Sequence, residues 1–263
     1  MGYESFWVDD LETNKSLVSK GDIIFAVDRA QKFLPVRNDV RYVLHNISGD
    51  DLGLESNFIQ IQIFDKNALG ANLGIPWVQW DKDSRTLFQP WGIPTPPRLW
   101  KPPSHPIKRK EFWMGSIWND EANRGNSQFM EKYIYELKKQ GIQFFRKGTP
   151  TRFQKNGISE KRGQKLVNQS IIGAAVLGEL QRKNLYVPCR LFKNIASGVP
   201  PSSNGDFSEV FQEGIFDSNP EKLIAKVLNL TKNEREEIVS SSQTKMLQYT
   251  YTANLNRIFE SLL

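Results

Sequence analysis

The chain has 263 residues, 39% hydrophobic and 24% charged, with a formal net charge of +6. That balance suits a soluble globular protein and excludes wholesale disorder, and no apolar run approaches the ~20 residues needed to span a bilayer. A single cysteine, Cys189, excludes an internal disulfide framework and a cysteine-based zinc site, while two histidines, His45 and His105, exclude a histidine-rich metal centre.

The opening residues, MGYESFWVDD, lack a cationic stretch followed by an apolar one, so no signal peptide is expected. Phe6 stands where N-myristoylation wants Ser or Thr. The expected compartment is the cytoplasm. The surplus of positive charge favours anionic partners: phosphorylated donors, acidic glycans, nucleic acid or the anionic inner face of a membrane.

Along the chain, strand-like runs alternate with helix-like runs, the pattern of parallel sheets covered by helices. Ser5–Val8, Asp22–Val27, Arg41–Leu44, Phe58–Phe64 and Ile75–Trp80 read as short strands, several ending in polar residues such as Asp9, Asp10, Asp28 and His45. Arg85–Gln89, closed by Pro90-Trp91-Gly92, reads as a late strand or turn. Six prolines between Pro94 and Pro106 permit neither helix nor interior strand, and their stiffness suits a connection. The chain therefore divides into a first domain over 1–106 and a second over 107–263.

The second domain opens with a strand at Phe112–Ile117 and the loop Trp118-Asn119-Asp120. A helix follows at Ser127–Gln140, with Phe129, Met130, Tyr133, Ile134 and Leu137 at helical spacing and Gly141 as its stop. Ile142–Phe145 is the next strand and ends at Arg146-Lys147-Gly148. Ser159–Asn168 reads as a short helix, Ser170–Val176 as a buried strand, Ile215-Phe216 as a last strand and Pro220–Leu228 as a helix. A long helical tail runs from Glu234 to Leu263, and no internal repeat is present.

Two basic groups stand out: Lys101, Lys108, Arg109 and Lys110, then Arg146, Lys147, Arg152, Lys155, Lys161, Arg162 and Lys165. Such runs read as solvated faces or as a peripheral contact with an anionic membrane. Phe153 is the sole aromatic among the second group and no RNA-binding signature accompanies it, so specific nucleic-acid binding is not expected.

The densest chemistry lies in YVPCRLFKNIASGVP, residues 186–200. Leu191, Phe192 and Ile195 supply the apolar face of a short helix, Gly198 suits its stop, and Pro200 forbids continuation. Its N-terminus would favour an anion through the backbone N–H groups and the macrodipole, with Arg190, Lys193 and Asn194 as added donors. An ordinary surface helix with basic residues is the plainer reading of the same pattern.

Cys189-Arg190-Leu191-Phe192-Lys193-Asn194 is similar to the Glu-Lys-Leu-Phe-Arg-Asn run of alpha-1,3-fucosyltransferase-like families, within the C-terminal half of GT-B-type glycosyltransferases. Cys189 stands where that family has Glu, and the glycine arrives one residue early. Phe88-Gln89-Pro90-Trp91-Gly92 resembles the turn closing the first half of such enzymes. Phe112-Trp113-Met114-Gly115-Ser116-Ile117 resembles the first strand of the second half, whose Gly-Ser loop approaches the diphosphate. The resemblance implies two Rossmann-like domains facing across a cleft, with Asn254–Leu263 returning to the first. The expected opening strand, glycine turn and helix are missing, so the N-terminal domain is expected to be abbreviated.

The implied activity is transfer of a sugar from a nucleoside-diphosphate donor to a glycan or other hydroxyl acceptor. The alternative is a non-catalytic nucleotide-binding subunit derived from such an enzyme. Transfer needs charge stabilisation on the leaving diphosphate, for which Gly115, Ser116, Arg146, Lys147, Arg190, Lys193 and Asn194 are the candidates. It also needs a base for the acceptor hydroxyl, expected from the first domain. His45, at the end of RYVLH, suits proton transfer near neutral pH, and Asp28 is the next choice, with Asp9, Asp10, Asp50 and Asp51 behind it. Asp81-Lys82-Asp83 could be a metal-binding DxD but reads as a charged loop, so no metal and no cofactor are expected. No individual tryptophan is assigned to the site.

Overall fold

The computed structural model describes residues 16–27, 34–63, 73–106, 108–147 and 159–262. They form two compact units, the first within Met1–Ile63, Asn67–Gln89 and Leu255–Leu263, the second within Pro90–Asn254.

The first unit is built on a five-stranded sheet of β1 (Ile23–Val27), β2 (Arg41–His45), β3 (Phe58–Gln62), β4 (Gln79–Asp81) and β5 (Thr86–Phe88), in the order β1-β2-β3-β5-β4. All pairings are parallel except β4 with β5. Tyr42, Val43 and Leu44 of β2 are all buried, as a central parallel strand covered on both faces requires. Its core joins Ala26, Val40, Tyr42, Leu44, Ile47, Leu54 and Phe58.

The expected strand over 75–80 is shortened to β4, because Trp77 at φ 60 and the turn bond from Val78 N–H to the Ile75 carbonyl interrupt its first half. The expected strand at Ser5–Val8 lies outside the described residues. Asp81-Lys82-Asp83 is the β4–β5 turn, in which the Asp81 carboxylate accepts from the Ser84 hydroxyl at 2.7 Å and from Asp83 N–H at 3.1 Å.

In the second unit β6 (Lys110–Met114) pairs in parallel with β7 (Gln143–Lys147), and β8 (Ser202–Ser203) pairs in parallel with β9 (Ile215–Phe216). Helix α1 (Ser127–Lys139) lays Met130, Tyr133 and Leu137 into the core, each 0% exposed, and Gly141 at φ 69 ends it. These side chains meet Trp113, Ile172, Leu223, Ile224 and Val227, the last three from the helix over Pro220–Leu228.

The remaining helices are α2 (Glu160–Asn168), α3 (Glu179–Lys183), α4 (Cys189–Ala196), α5 (Pro220–Leu228), α6 (Lys232–Met246) and α7 (Tyr251–Leu262). The expected single tail is thus two helices, broken where Ile93 inserts its backbone: Ile93 N–H bonds the Tyr249 carbonyl at 2.9 Å and Tyr251 N–H bonds the Ile93 carbonyl at 3.0 Å. Residues Leu255–Leu263 group with the first unit. Among the described residues no helix is long and apolar enough to cross a membrane.

Two further elements differ from expectation. The proline-rich stretch lies within the second unit, where Lys101 N–H bonds the Ala196 carbonyl at 2.8 Å and Ser104 N–H bonds the Gly198 carbonyl at 2.7 Å. The boundary expected at residue 107 therefore falls inside that unit, whose described part starts at Pro90. The expected strand Ser170–Val176 is irregular apart from a bridge between Ala175 and Ser203. Gly173, at φ 67, turns the backbone, and the Glu111 side chain rather than a neighbouring strand accepts the N–H groups of Ile172 and Gly173.

Candidate anion site at the carboxyl end of the second sheet

Helix α4 forms as its pattern predicts. Leu191, Phe192 and Ile195 are 0% exposed, and Gly198 at φ 81 closes the helix against the Pro102 carbonyl, which a Cβ would approach to 2.0 Å. Pro188 is its N-cap and offers no side-chain acceptor, and although Leu191 N–H bonds the Pro188 carbonyl at 2.9 Å, the Cys189 and Arg190 N–H groups meet no acceptor among the described residues, which favours negative charge there.

Arg190 leaves that first turn and lies over the Trp113 ring, with its guanidinium carbon 3.6 Å from the ring centroid. Among the described residues it has neither a hydrogen bond nor a carboxylate partner. Burial pushes its pKa down to about 10, against the pull of Cys189 and Tyr186. This is a half-buried, partly desolvated cation with no neutralising carboxylate among the described residues.

Gly115 explains how the guanidinium fits. It follows β6 at φ 141, and a Cβ placed there would stand 1.9 Å from Arg190 Nη2. Trp113 and Gly115 are two residues apart on an extended chain and so share one side of it: a flat ring, then a notch. Beyond the notch, the backbone N–H groups of Ser116 and Ile117 meet no acceptor among the described residues. The following loop is braced by Asn126, which accepts from Trp118 N–H at 2.9 Å and donates to the Ser116 carbonyl at 3.3 Å.

The other expected donors are distributed as follows. Ser116 is exposed at the loop, and Lys193 is exposed with no ion pair among the described residues. Arg146 is exposed on β7, opposite Trp113 in register, and Lys147 ends that strand opposite Met114; Gly148 lies outside the described residues. Asn194 is turned inward: it is 4% exposed and its amide donates to the Gly173 carbonyl. That bond and its burial turn the amide toward the 172–174 turn, so Asn194 braces that turn instead of lining the site.

In the first unit His45 ends β2 at the carboxyl edge of the parallel strands, half-buried, with Nδ1 3.1 Å from the Ile61 carbonyl. Asp28, Asp9 and Asp10 lie outside the described residues, and Asp50 and Asp51 form a short 3-10 turn.

Sequence reasoning missed two residues. Trp113 is buried to 1% yet its indole N–H has no partner among the described residues, and its face carries Arg190. The available signal was an aromatic residue two positions before a glycine at a strand end. Glu111 is fully buried, accepting from Ile172 N–H, Gly173 N–H and the Tyr133 hydroxyl at 3.0–3.1 Å. A lone Glu in a basic run gives no such signal.

No protein-family model matches the chain, and no curated protein matches it in sequence. Solved structures do. The E. coli trehalose-6-phosphate structure bound with UDP-2-fluoro glucose superposes with a TM-score of 0.60 at 10% identity, over 96% of this chain and 75% of that one. The UDP-forming alpha,alpha-trehalose-phosphate synthase of Burkholderia vietnamiensis gives 0.56 at 9% identity, over 86% and 75%. TarM gives 0.51 at 12% identity, over 89% and 57%. At such identities the likeness is one of fold, and the chain has the two-unit α/β fold of GT-B glycosyltransferases.

Proposed function

We propose that this chain transfers a sugar from a nucleoside-diphosphate donor to a hydroxyl acceptor such as a glycan, with the donor diphosphate bound at Arg190. The observation that carries the reading is the half-buried, partly desolvated guanidinium beside the Gly115 notch, which has no ion pair among the described residues. Leaving a desolvated charge without a counter-ion is costly, so a site of this kind is completed by an anionic ligand. A diphosphate supplies it, and charge-assisted bonds from Arg190 and the N–H groups of Ser116 and Ile117 would stabilise the charge that develops as the donor bond breaks. The GT-B fold supports the same reading, since the solved structures that share it include proteins named for UDP and trehalose phosphate.

In this reading Lys193 and Arg146 add charge at the rim, and the guanidinium does the work that a divalent cation does elsewhere, so transfer proceeds without a metal. His45, or Asp28, takes the acceptor proton. The run Cys189–Asn194 tilts the donor toward the sugar nucleotides of fucosyltransferase-like enzymes, and the exposed lysines and arginines toward work in the cytoplasm at an anionic membrane face.

The test is calorimetric titration with UDP and GDP, followed by donor turnover with and without EDTA. Binding by the wild type that falls about tenfold or more in Arg190→Ala supports the site. No binding to either nucleotide overturns it. Binding without turnover, unchanged in His45→Ala, assigns the chain instead as a non-catalytic nucleotide-binding subunit.

A further inference from the structure

We propose that Trp113 is a positioning residue for this site: its indole face is the shelf that holds the Arg190 guanidinium over the Gly115 notch. The inference rests on the reading of Arg190 as the anion-binding group.

A long arginine side chain loses rotamer freedom when fixed, so an arginine that waits in one place needs a holder. A carboxylate is the usual holder. It would also neutralise the guanidinium and compete with the phosphate for the same N–H groups. An aromatic face attracts the cation through its quadrupole, leaves the charge intact, and leaves the in-plane N–H groups open to a ligand. The contact here is of that kind, with the guanidinium carbon 3.6 Å from the ring centroid.

The shelf itself is rigid. Trp113 is 1% exposed, sits in β6 paired with β7, and packs among Met130, Tyr133 and Ile172. The notch is the second half of the device, because any side chain at position 115 would occupy the space that Arg190 Nη2 fills. Ring and notch on the same side of one strand fix both the plane and the reach of the guanidinium.

The experiment compares wild type with Trp113→Phe, Trp113→Leu and Arg190→Ala. The first readout needs no ligand: the Arg190 Nε–H resonance is expected to be displaced by the ring current in wild type and Trp113→Phe, and to move to an ordinary position in Trp113→Leu. The second readout is affinity for UDP, GDP and inorganic pyrophosphate. Trp113→Leu is expected to lose about tenfold, Trp113→Phe to stay within about threefold, and the Trp113→Leu, Arg190→Ala pair to be no worse than Arg190→Ala alone.

Trp113→Phe keeps the core filled should Trp113→Leu fold poorly, and its retained affinity is what a role through ring contact requires. A wild type that binds none of the three probes removes the anion site and with it the purpose of the shelf. A wild type that binds, with Trp113→Leu folded and binding equally well, removes the shelf alone. A wild-type Arg190 resonance without ring-current displacement does the same.

Discussion

The Glu111 carboxylate takes the place of a strand at Gly173. It accepts the Gly173 N–H on both oxygens, at 3.0 and 3.1 Å, and the Ile172 N–H at 3.1 Å, where a neighbouring backbone carbonyl would serve in an ordinary ladder. Tyr133 from α1 donates a further bond at 3.1 Å, and Arg235 from α6, which bonds the Ile171 carbonyl at 2.7 Å, brings positive charge to the same pocket. One side chain thus ties β6, α1 and the turn that Asn194 braces on its far side.

Burial pushes the Glu111 carboxyl up from 4.5 to about 7, against the pull of Gly173, Ile172 and Tyr133. Between those values the native state holds a proton that the unfolded chain has released, so the Glu111 contribution to stability is full at low pH and is lost as pH rises through the window. The loss is on the order of 3 kcal/mol at about 1.4 kcal/mol per unit. Urea denaturation at several pH values should show that decline in wild type and a flatter profile in Glu111→Gln. The variant should be the less stable protein at pH 5, since its amide presents donors to donors. Parallel profiles for the two proteins would remove Glu111 as the titrating group.

Gly115→Ala should damage both the backbone and the site. At φ 141 a side chain is strained by about 1–3 kcal/mol, and the added Cβ meets Arg190 Nη2 at 1.9 Å. The guanidinium then leaves the Trp113 face, and affinity for UDP or GDP should drop about tenfold or more. Gly141→Ala is the control: it also carries positive φ, at 69, but a Cβ there meets nothing within 4 Å. It should lose stability and keep its nucleotide affinity. Equal affinities for the two variants would mean that the notch is irrelevant to binding.

Much of the site was legible because it rests on local rules. The apolar triplet Leu191, Phe192 and Ile195, the helix stop at Gly198 and the cation at Arg190 follow from spacing along one short helix. Gly115 was legible as a loop glycine at a strand end, though its partner was not. The alternation of strands and helices likewise predicted parallel sheets in both units.

What was illegible depended on groups distant in sequence. Glu111 and Gly173 are 62 residues apart, so nothing local announced that a carboxylate would replace a strand. Asn194 looked like a donor because it follows Lys193, and only the path of the 172–174 turn shows that it faces inward. The proline-rich stretch read as a linker on composition, whereas its intervening Lys101 and Ser104 N–H groups find carbonyls on and after α4.

Asn194→Ala should therefore behave as a core variant. Removing its amide leaves the Gly173 carbonyl buried without a donor, at a cost of about 1–3 kcal/mol. Thermal melts should report that loss. Nucleotide affinity, measured well below the melting temperature, should change by less than about threefold, because the side chain reaches no ligand. A stable Asn194→Ala protein with abolished affinity would return this residue to the site.

Lys193→Ala should show the opposite pattern. The side chain is exposed and has no ion pair among the described residues, so stability should stay within about 0.5 kcal/mol of wild type. Its contribution to a diphosphate is a screened point charge, in contrast to the half-buried Arg190 guanidinium. Affinity should fall about threefold at low salt, and the difference should vanish as ionic strength rises toward 1 M, where the screening length is about 3 Å. The effect of Arg190→Ala should persist at that salt, because burial shields the site from mobile ions. Titrations of both variants at low and high salt separate the two cations. A Lys193→Ala deficit that survives high salt would place the ammonium in direct contact with the anion rather than at its rim.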